Sequence, residues 1–237
     1  MHPSATAWWA PKSGHTANEY EDAFAVGPDA FRLAVADGAS ETSFARQWAE
    51  LLVRGFVEEA PRAVELQDWI APLRAAWREA HEGRATAWYA EAKARDGAFS
   101  SLLGLVIEGG RWRALAVGDS CLFVVRAGKL ARAFPFERAE QFSNRPVLLS
   151  SVARANGDLA GETSVDEGDL QAGDQLLLMT DALAHWFVVE AGLGRRPWAA
   201  LAKLTTEEQF TALVEVLRAG RALRNDDVTF VQVGVAA

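Results

Sequence analysis

Cysteine is almost absent from this sequence. The 237-residue chain has one, Cys121, so neither an internal disulfide nor a cysteine-built metal site can form, which is typical of proteins from a reducing compartment. No run of about eighteen apolar residues occurs, and the N-terminal segment lacks a basic stretch followed by an apolar one. We therefore expect a cytoplasmic protein that neither crosses nor binds a membrane.

An excess of basic residues is also missing. The chain has 32 acidic against 24 basic residues and a formal net charge of −8. This balance opposes binding to a phosphate backbone, so nucleic acid is not an expected partner. The absence of a basic stripe also argues against a metal-dependent nuclease.

Signs of a domain boundary are lacking as well. The sequence contains no repeat of fixed period, no low-complexity tract and no linker rich in proline or serine. Half of its residues are hydrophobic and 10% are aromatic, which is enough to build a sizeable core. We expect a single domain over residues 1–237, acting as a monomer.

Several apolar segments with turn signals between them predict strands. Residues 22–37 read as a hairpin around Pro28-Asp29, and residues 99–119 as a second hairpin around Gly109-Gly110. Further strands are predicted at 121–126, at 175–179 and after Asp226-Asp227, whereas residues 134–162 read as loop-rich.

Helical spacing appears in four places. Ser40 is a candidate N-cap for a helix with Trp48, Leu52 and Phe56 on its buried face, and an alanine-rich helical region covers about 62–95. Further helices are predicted from about 182 to 191 and after a capping box at 205–208. Because strands and helices do not alternate regularly, we expect an α+β fold with largely antiparallel sheets.

Three apolar strands end in an aspartate. These are Asp37, Asp119 and Asp181, and acidic pairs flank two further strands at Glu21-Asp22 and Asp226-Asp227. Each aspartate taken alone is more often a turn or capping residue. If one end of a sheet system gathers them, however, ionised carboxylates repel one another unless a cation neutralises them. Oxygen ligands without a His or Cys cluster favour Mg²⁺, Mn²⁺ or Ca²⁺.

The five acidic motifs together resemble those of a known family. In chain order they are EDAF (21–24), VADG (35–38), GDS (118–120), TDAL (180–183) and DDVT (226–229). Their order and their positions beside strands look like those of the metal-dependent type-2C protein phosphatases. The resemblance implies a four-layer αββα sandwich, in which two antiparallel sheets are flanked by helices and a metal site lies at one end.

The resemblance also assigns roles to residues. It implies that Asp37 bridges two Mg²⁺ or Mn²⁺ ions, with the Gly38 carbonyl on one of them. By the same resemblance the remaining metal positions involve Glu21, Asp22, Asp181 and Asp226, and Asp119 lines a third, weaker position. The last motif places the ligand at Asp226, with Asp227 in a supporting role.

The implied reaction is hydrolysis of phosphoserine and phosphothreonine in proteins by a water that two metal ions activate. Asp22 and Asp37 would then be catalytic, a phosphoprotein would be the substrate, and a serine/threonine kinase would be a possible partner. The family has an arginine shortly before the ED pair to hold phosphate, whereas this chain has PKSGHTANEYED. Lys12 and His15 are the basic residues nearby and are the candidates for that role.

A second reading belongs to a different class of protein. The missing arginine favours a catalytically silent relative that binds metal or phosphorylated partners as a regulatory module. The aspartates favour an enzyme, because a silent scaffold has no physical need for so costly a cluster of acids.

Overall fold

The computed structural model describes residues 2–29, 31–39, 44–81, 97–143 and 145–236. Largely apolar segments form the central strands of two five-stranded sheets in this part of the chain, and every neighbouring pair of strands is antiparallel. The expected class, α+β with antiparallel sheets, is confirmed.

The first sheet contains both termini of the described chain. Its strands are β1 (His2–Ala10), β7 (Cys121–Arg126), β8 (Lys129–Phe134), β11 (Gln175–Met179) and β12 (Val228–Ala236). They lie in the order β1-β12-β11-β7-β8. Strand β1 was not predicted from the sequence. It pairs with β12 along its whole length, from His2 opposite Ala236 to Ala10 opposite Val228.

The strands of the second sheet are β2 (Ala23–Val26), β3 (Arg32–Ala36), β5 (Leu102–Glu108), β6 (Arg111–Val117) and β10 (Ser164–Asp169). They lie in the order β10-β6-β5-β3-β2. Both predicted hairpins are present, as β2 with β3 and β5 with β6. Gly109 and Gly110 adopt positive φ angles of 58° and 75° in the second turn, which favours glycine there. A short pair, β4 (Phe99–Ser100) and β9 (Leu149–Ser150), lies beside this sheet.

Helices cover the outer faces of the two sheets. They are α1 (Ala45–Glu58), α2 (Leu66–His81), α3 (Asp181–Gly192), α4 (Pro197–Leu201) and α5 (Glu207–Ala219). The predicted cap Ser40 and the predicted helical residues 82–95 lie outside the described residues. Pro72 is accommodated inside α2, and Thr206 caps α5 by accepting a hydrogen bond from the Gln209 N–H at 3.3 Å. None of the helices in the described ranges is long and apolar enough to span a membrane.

The apolar side chains form three layers of core. One layer, with Leu33, Leu103 and Val231, lies between the two sheets. A second, with Trp48 and Phe56, lies between α1, α2 and the second sheet. The third packs α3 and α5 on the first sheet. Burial on both faces of each sheet gives the four-layer αββα sandwich.

Candidate active site

The acidic motifs lie at one end of the sandwich. Asp22 precedes β2 and Asp37 follows β3, and because Ala23 is opposite Ala36 the two aspartates are neighbours across the hairpin. In the first sheet Met179 is opposite both Cys121 and Phe230. Asp181, Asp119 and the Asp226-Asp227 pair therefore lie just beyond the ends of these strands, on the same side of the sheet.

The backbone of Asp37 is held by the segment between β4 and β5. Its N–H donates to Ser101 Oγ at 3.0 Å, and its carbonyl accepts from the Ser101 N–H at 2.9 Å and from Ser100 Oγ at 2.8 Å. Ser101 Oγ also hydrogen bonds with Ser120 Oγ at 2.8 Å. Asp37 is thereby linked to the turn that carries Asp119.

Gly38 allows a close contact between the backbone segments before β2 and after β3. A Cβ atom added at this position would lie 2.5 Å from the Glu21 carbonyl oxygen, closer than any side chain permits. The absence of a side chain at Gly38 therefore lets the backbone of Glu21 approach that of Asp37-Gly38. Glu21 itself is half-buried beside this contact.

Hydrogen bonds from β12 orient Asp22. Its Oδ2 accepts a hydrogen bond from Thr229 Oγ1 at 2.7 Å, and both residues are buried. Thr229 Oγ1 also hydrogen bonds with the Tyr20 hydroxyl, while the Thr229 N–H donates to Thr180 Oγ1 at 2.9 Å. This chain of contacts connects Asp22 in one sheet to the end of β11 in the other.

Asp181 has one paired and one unpaired oxygen. Arg224 Nη2 donates to Asp181 Oδ2 at 2.6 Å. Asp181 Oδ1 is buried and accepts no hydrogen bond from any described residue. Such an oxygen is costly to bury without a partner, and a bound cation is one group that could satisfy it.

The carboxyl groups raise one another's pKa values. Burial and then the nearby charge of Asp22 raise the pKa of Asp37 well above its ordinary value. Burial, followed by the charge of Asp181, raises the pKa of Asp119 to about 7. Burial also raises the pKa of Asp22 well above its usual range, although its hydrogen bond from Thr229 acts in the opposite direction. The ionised forms of these carboxyl groups are therefore destabilised by their surroundings in the protein.

The two members of the last acidic pair differ in their contacts. Asp227 is buried, and its carboxylate accepts hydrogen bonds from the Lys12 N–H at 2.8 Å and the Glu21 N–H at 2.6 Å. Asp226 is half-buried, and its Oδ1 accepts only from the Asp227 N–H, at 3.0 Å, among the described residues. Strand β12 begins at Val228, so both aspartates precede it and strand alternation does not decide which one faces the site.

Lys12 and His15 lie on the loop that leads to Glu21. Both line a cavity of about 310 Å³ whose wall also includes Glu19, Glu21 and Arg46. Arg46 supports this loop by donating to the Ala17 carbonyl at 3.1 Å. Lys12 and His15 thus lie close to Glu21, at one side of the group of carboxylates.

The carboxylate oxygens are suitable ligands for a divalent cation. Their side chains must change conformation, however, before several of them can bind the same ion. Within the described ranges, no group of three or more His, Cys, Asp or Glu side chains has the spacing of a metal site. The donors are oxygens, the pKa values of Asp22, Asp37 and Asp119 are raised, and one oxygen of Asp181 is buried without a partner among the described residues. Hard cations such as Mg²⁺ and Mn²⁺ suit these donors, provided that the side chains turn toward a common point.

Reasoning from the sequence missed several residues of this site. Ser101, Thr180 and Thr229 orient the aspartates, and of these Thr180 and Thr229 lie inside the acidic motifs. Arg224 had no sequence signal, because its contact with Asp181 joins positions 43 residues apart.

Comparison with known proteins agrees with the resemblance. The family model described as "Protein phosphatase 2C" matches residues 15–219. No curated protein matches the sequence significantly.

Solved structures show the same fold at low sequence identity. The serine/threonine phosphatase PstP/Ppp of Mycobacterium tuberculosis is 19% identical, with a TM-score of 0.68 and full coverage (100%) of both chains. The catalytic domain of PstP in complex with two manganese ions is 20% identical, with a TM-score of 0.64 and 99% coverage of both chains. PppA of Pseudomonas aeruginosa, a regulatory component of a type VI secretion system, is 20% identical with a TM-score of 0.62, covering 99% of this chain and 98% of its own.

Proposed function

This chain belongs to the protein phosphatase 2C family, and we propose that it hydrolyses phosphoserine and phosphothreonine in proteins with water activated by two divalent metal ions. One observation carries the proposal. Aspartates from both sheets meet at one end of the sandwich with raised pKa values, and a buried oxygen of Asp181 lacks a partner. A cation would relieve both costs.

Asp37 is the proposed shared ligand of the two ions. Its backbone is fixed by Ser100 and Ser101, so that its side chain projects from a rigid point. Asp181 and Asp226 would complete one position, and Glu21, Asp22 and the Gly38 carbonyl would contribute directly or through water. Asp119 would line a third, weaker position. The manganese complex of PstP supports Mn²⁺ or Mg²⁺ as the ions.

When bound, the ions would supply a water that loses its proton easily and would offset negative charge on the phosphoryl oxygens. Asp22 and Asp37 would position that water, because the Asp22 carboxylate accepts a hydrogen bond from Thr229 on β12 and the Asp37 backbone is held by Ser101. Lys12 and His15 would face the phosphoprotein from the loop beside Glu21.

No protein nucleophile is required, and the cysteine does not offer one. Cys121 is fully buried, and burial raises the pKa of its thiol well above the ordinary value. A buried neutral thiol cannot reach or attack a phosphoprotein.

The expected partners follow from this chemistry. A phosphorylated protein is the proposed substrate, and a serine/threonine kinase that phosphorylates it is the proposed antagonist. We also propose that the protein acts in the cytoplasm as a monomer.

A metal titration tests the function. The protein is stripped with a chelator and then given increasing Mn²⁺ or Mg²⁺ in the presence of a phosphothreonine peptide, and released phosphate is measured. We expect no turnover in chelator and saturable turnover with metal, because oxygen ligands hold these ions reversibly. Full activity in excess chelator would contradict the proposal.

A further inference from the structure

Arg224 meets the acidic cluster from the solvent side. It lies between α5 and β12, and its Nη2 donates to Asp181 Oδ2 at 2.6 Å. The Arg224 side chain is 46% exposed, whereas that of Asp181 is 11% exposed. The guanidinium therefore lies on the solvent side of the Asp181 carboxylate.

Most of the hydrogen-bonding capacity of the Arg224 guanidinium is unused within the described part of the chain. A guanidinium has five N–H donors in one plane. The contact with Asp181 is the only hydrogen bond that the Arg224 side chain makes with the described residues. Its remaining donors form a fork that suits the oxygens of a phosphate group.

The nearby Arg218 has a structural role and provides a comparison with Arg224. Its side chain is 6% exposed, and it donates to the Pro11 carbonyl at 3.0 Å and to the Asp226 carbonyl at 2.6 Å. These bonds hold the chain on either side of the site together. The Arg224 side chain bonds to no backbone group among the residues that the structure describes, so its contact serves the carboxylate itself.

The charge of Arg224 lies at the rim of the cluster. Its guanidinium contacts Asp181, which lies at the same end of the sandwich as Asp37 and Asp119. A phosphate dianion that approaches several carboxylates is repelled, and a cation at the entrance reduces that repulsion. Lys12 and His15 act elsewhere, since their charges add to the hydrogen bonds from Thr16 that lower the pKa of Glu19.

We propose that Arg224 binds the phosphate group of the substrate at the entrance to the carboxylate cluster, with Asp181 holding its guanidinium in place. This inference rests on the proposed phosphatase function for the identity of its ligand. It assigns substrate binding to a residue of the loop before β12.

The test compares Arg224→Gln, which removes the charge, with Arg224→Lys, which keeps it but loses the fork. Arg221→Gln is the matched control, because Arg221 is an exposed arginine on the same loop. Binding of inorganic phosphate is measured by calorimetry with and without Mn²⁺, and Mn²⁺ affinity is measured separately. Kinetics with a phosphothreonine peptide then give KM and kcat.

We expect Arg224→Gln to weaken phosphate binding and raise KM by about tenfold to a hundredfold, the usual loss for a charged hydrogen bond. Arg224→Lys should recover part of the loss, and Arg221→Gln should stay within about twofold of the wild type, because its charge is screened by solvent. The effect on kcat should be smaller than that on KM.

Unchanged phosphate affinity and KM in Arg224→Gln would overturn the proposal. So would tighter Mn²⁺ binding with unchanged phosphate binding, because Arg224 would then be only a counter-charge for Asp181. Phosphate binding is measured without turnover, so a wild-type protein that binds phosphate through Arg224 but hydrolyses no peptide would refute the proposed function alone.

Discussion

The strand β11 has a buried aspartate beyond each end, and the two differ in every contact. Asp174, before the strand, accepts hydrogen bonds from Arg126 Nε at 2.8 Å, Arg126 Nη2 at 2.7 Å and the Gln171 N–H at 2.9 Å. Asp181, after the strand, is paired with Arg224 through one oxygen and has no partner among the described residues for the other.

Their pKa values move in opposite directions. Burial alone would raise the pKa of Asp174, but the hydrogen bonds from Arg126 and Gln171 outweigh it, so the pKa is lowered. For Asp181 burial outweighs the charge of Arg224, and the pKa is raised. A satisfied charge stabilises the fold, whereas an unsatisfied one costs stability and marks a place where a ligand can be bound.

The largest effect is expected at the functional end of the sandwich. Asp37→Asn removes the charge of the proposed shared ligand, and we expect kcat to fall at least about a hundredfold, since metal ions supply several kcal/mol in such reactions. Phosphate release from a phosphothreonine peptide measures it. The control Asp169→Asn changes an aspartate whose side chain is 74% exposed and should leave kcat unchanged; normal turnover in Asp37→Asn would remove the distinction between the two ends.

At the opposite end of β11, substitution of Asp174 should lower the stability of the fold rather than the activity. Asp174→Ala leaves the Arg126 guanidinium and the Gln171 N–H without their acceptor, so we expect the free energy of unfolding to fall by about 2 kcal/mol. Denaturant unfolding measures it, with Asp169→Ala expected to cost less than about 1 kcal/mol as an exposed pair. Activity below the unfolding transition should be retained.

The pH dependence of that loss has a definite sign. Because the folded-state pKa of Asp174 is lowered, its contribution is fully present above the ordinary value of about 3.9 and disappears as the pH falls through the lowered value. The difference between wild type and Asp174→Ala should therefore shrink below about pH 4. A difference that grew on acidification would show that Asp174 is not held as a carboxylate.

A smaller effect, on Mn²⁺ affinity, should distinguish substitution of Asp226 from substitution of Asp227. Asp226→Asn should weaken Mn²⁺ binding by about tenfold or more, as loss of a charged ligand does. Asp227→Asn should change Mn²⁺ affinity by less than about threefold but lower the melting temperature, because its amide group can accept from only one of the Lys12 and Glu21 N–H groups. Calorimetry and thermal unfolding on both variants decide it, and the reverse order would exchange the roles of the two residues.

The smallest effect is expected for Lys12→Ala and His15→Ala. Both residues line a cavity beside Glu21, at the edge of the carboxylates. If Arg224 binds the phosphate, each substitution should raise KM by no more than about threefold. A tenfold rise in either variant would move the phosphate contact to the loop before Glu21.

The sequence predicted the acidic end of the sandwich well because its aspartates follow apolar strands. A buried strand leaves an apolar run, and Asp37, Asp119 and Asp181 stand where those runs stop. Their convergence in space came from the family resemblance, since strand order cannot be read from local patterns.

Other features had no local signal. Strand β10 carries the polar residues SVDEGD because it is a sheet edge with a single neighbour, so it lacks an apolar run. Strand β1 is also a sheet edge, and its first six residues are small or polar, so it too lacks a long apolar run. Arg224 is a charged residue in the loop before β12, and only the fold brings it to Asp181.

Anomalous diffraction from crystals grown with Mn²⁺ tests the central claim most directly. The claim is that the buried, incompletely paired aspartates at one end of the sandwich bind metal. Two manganese peaks should appear within coordination distance of Asp37, one of them also beside Asp181 Oδ1. No peak at this end, with Asp181 still paired only to Arg224, would contradict the account.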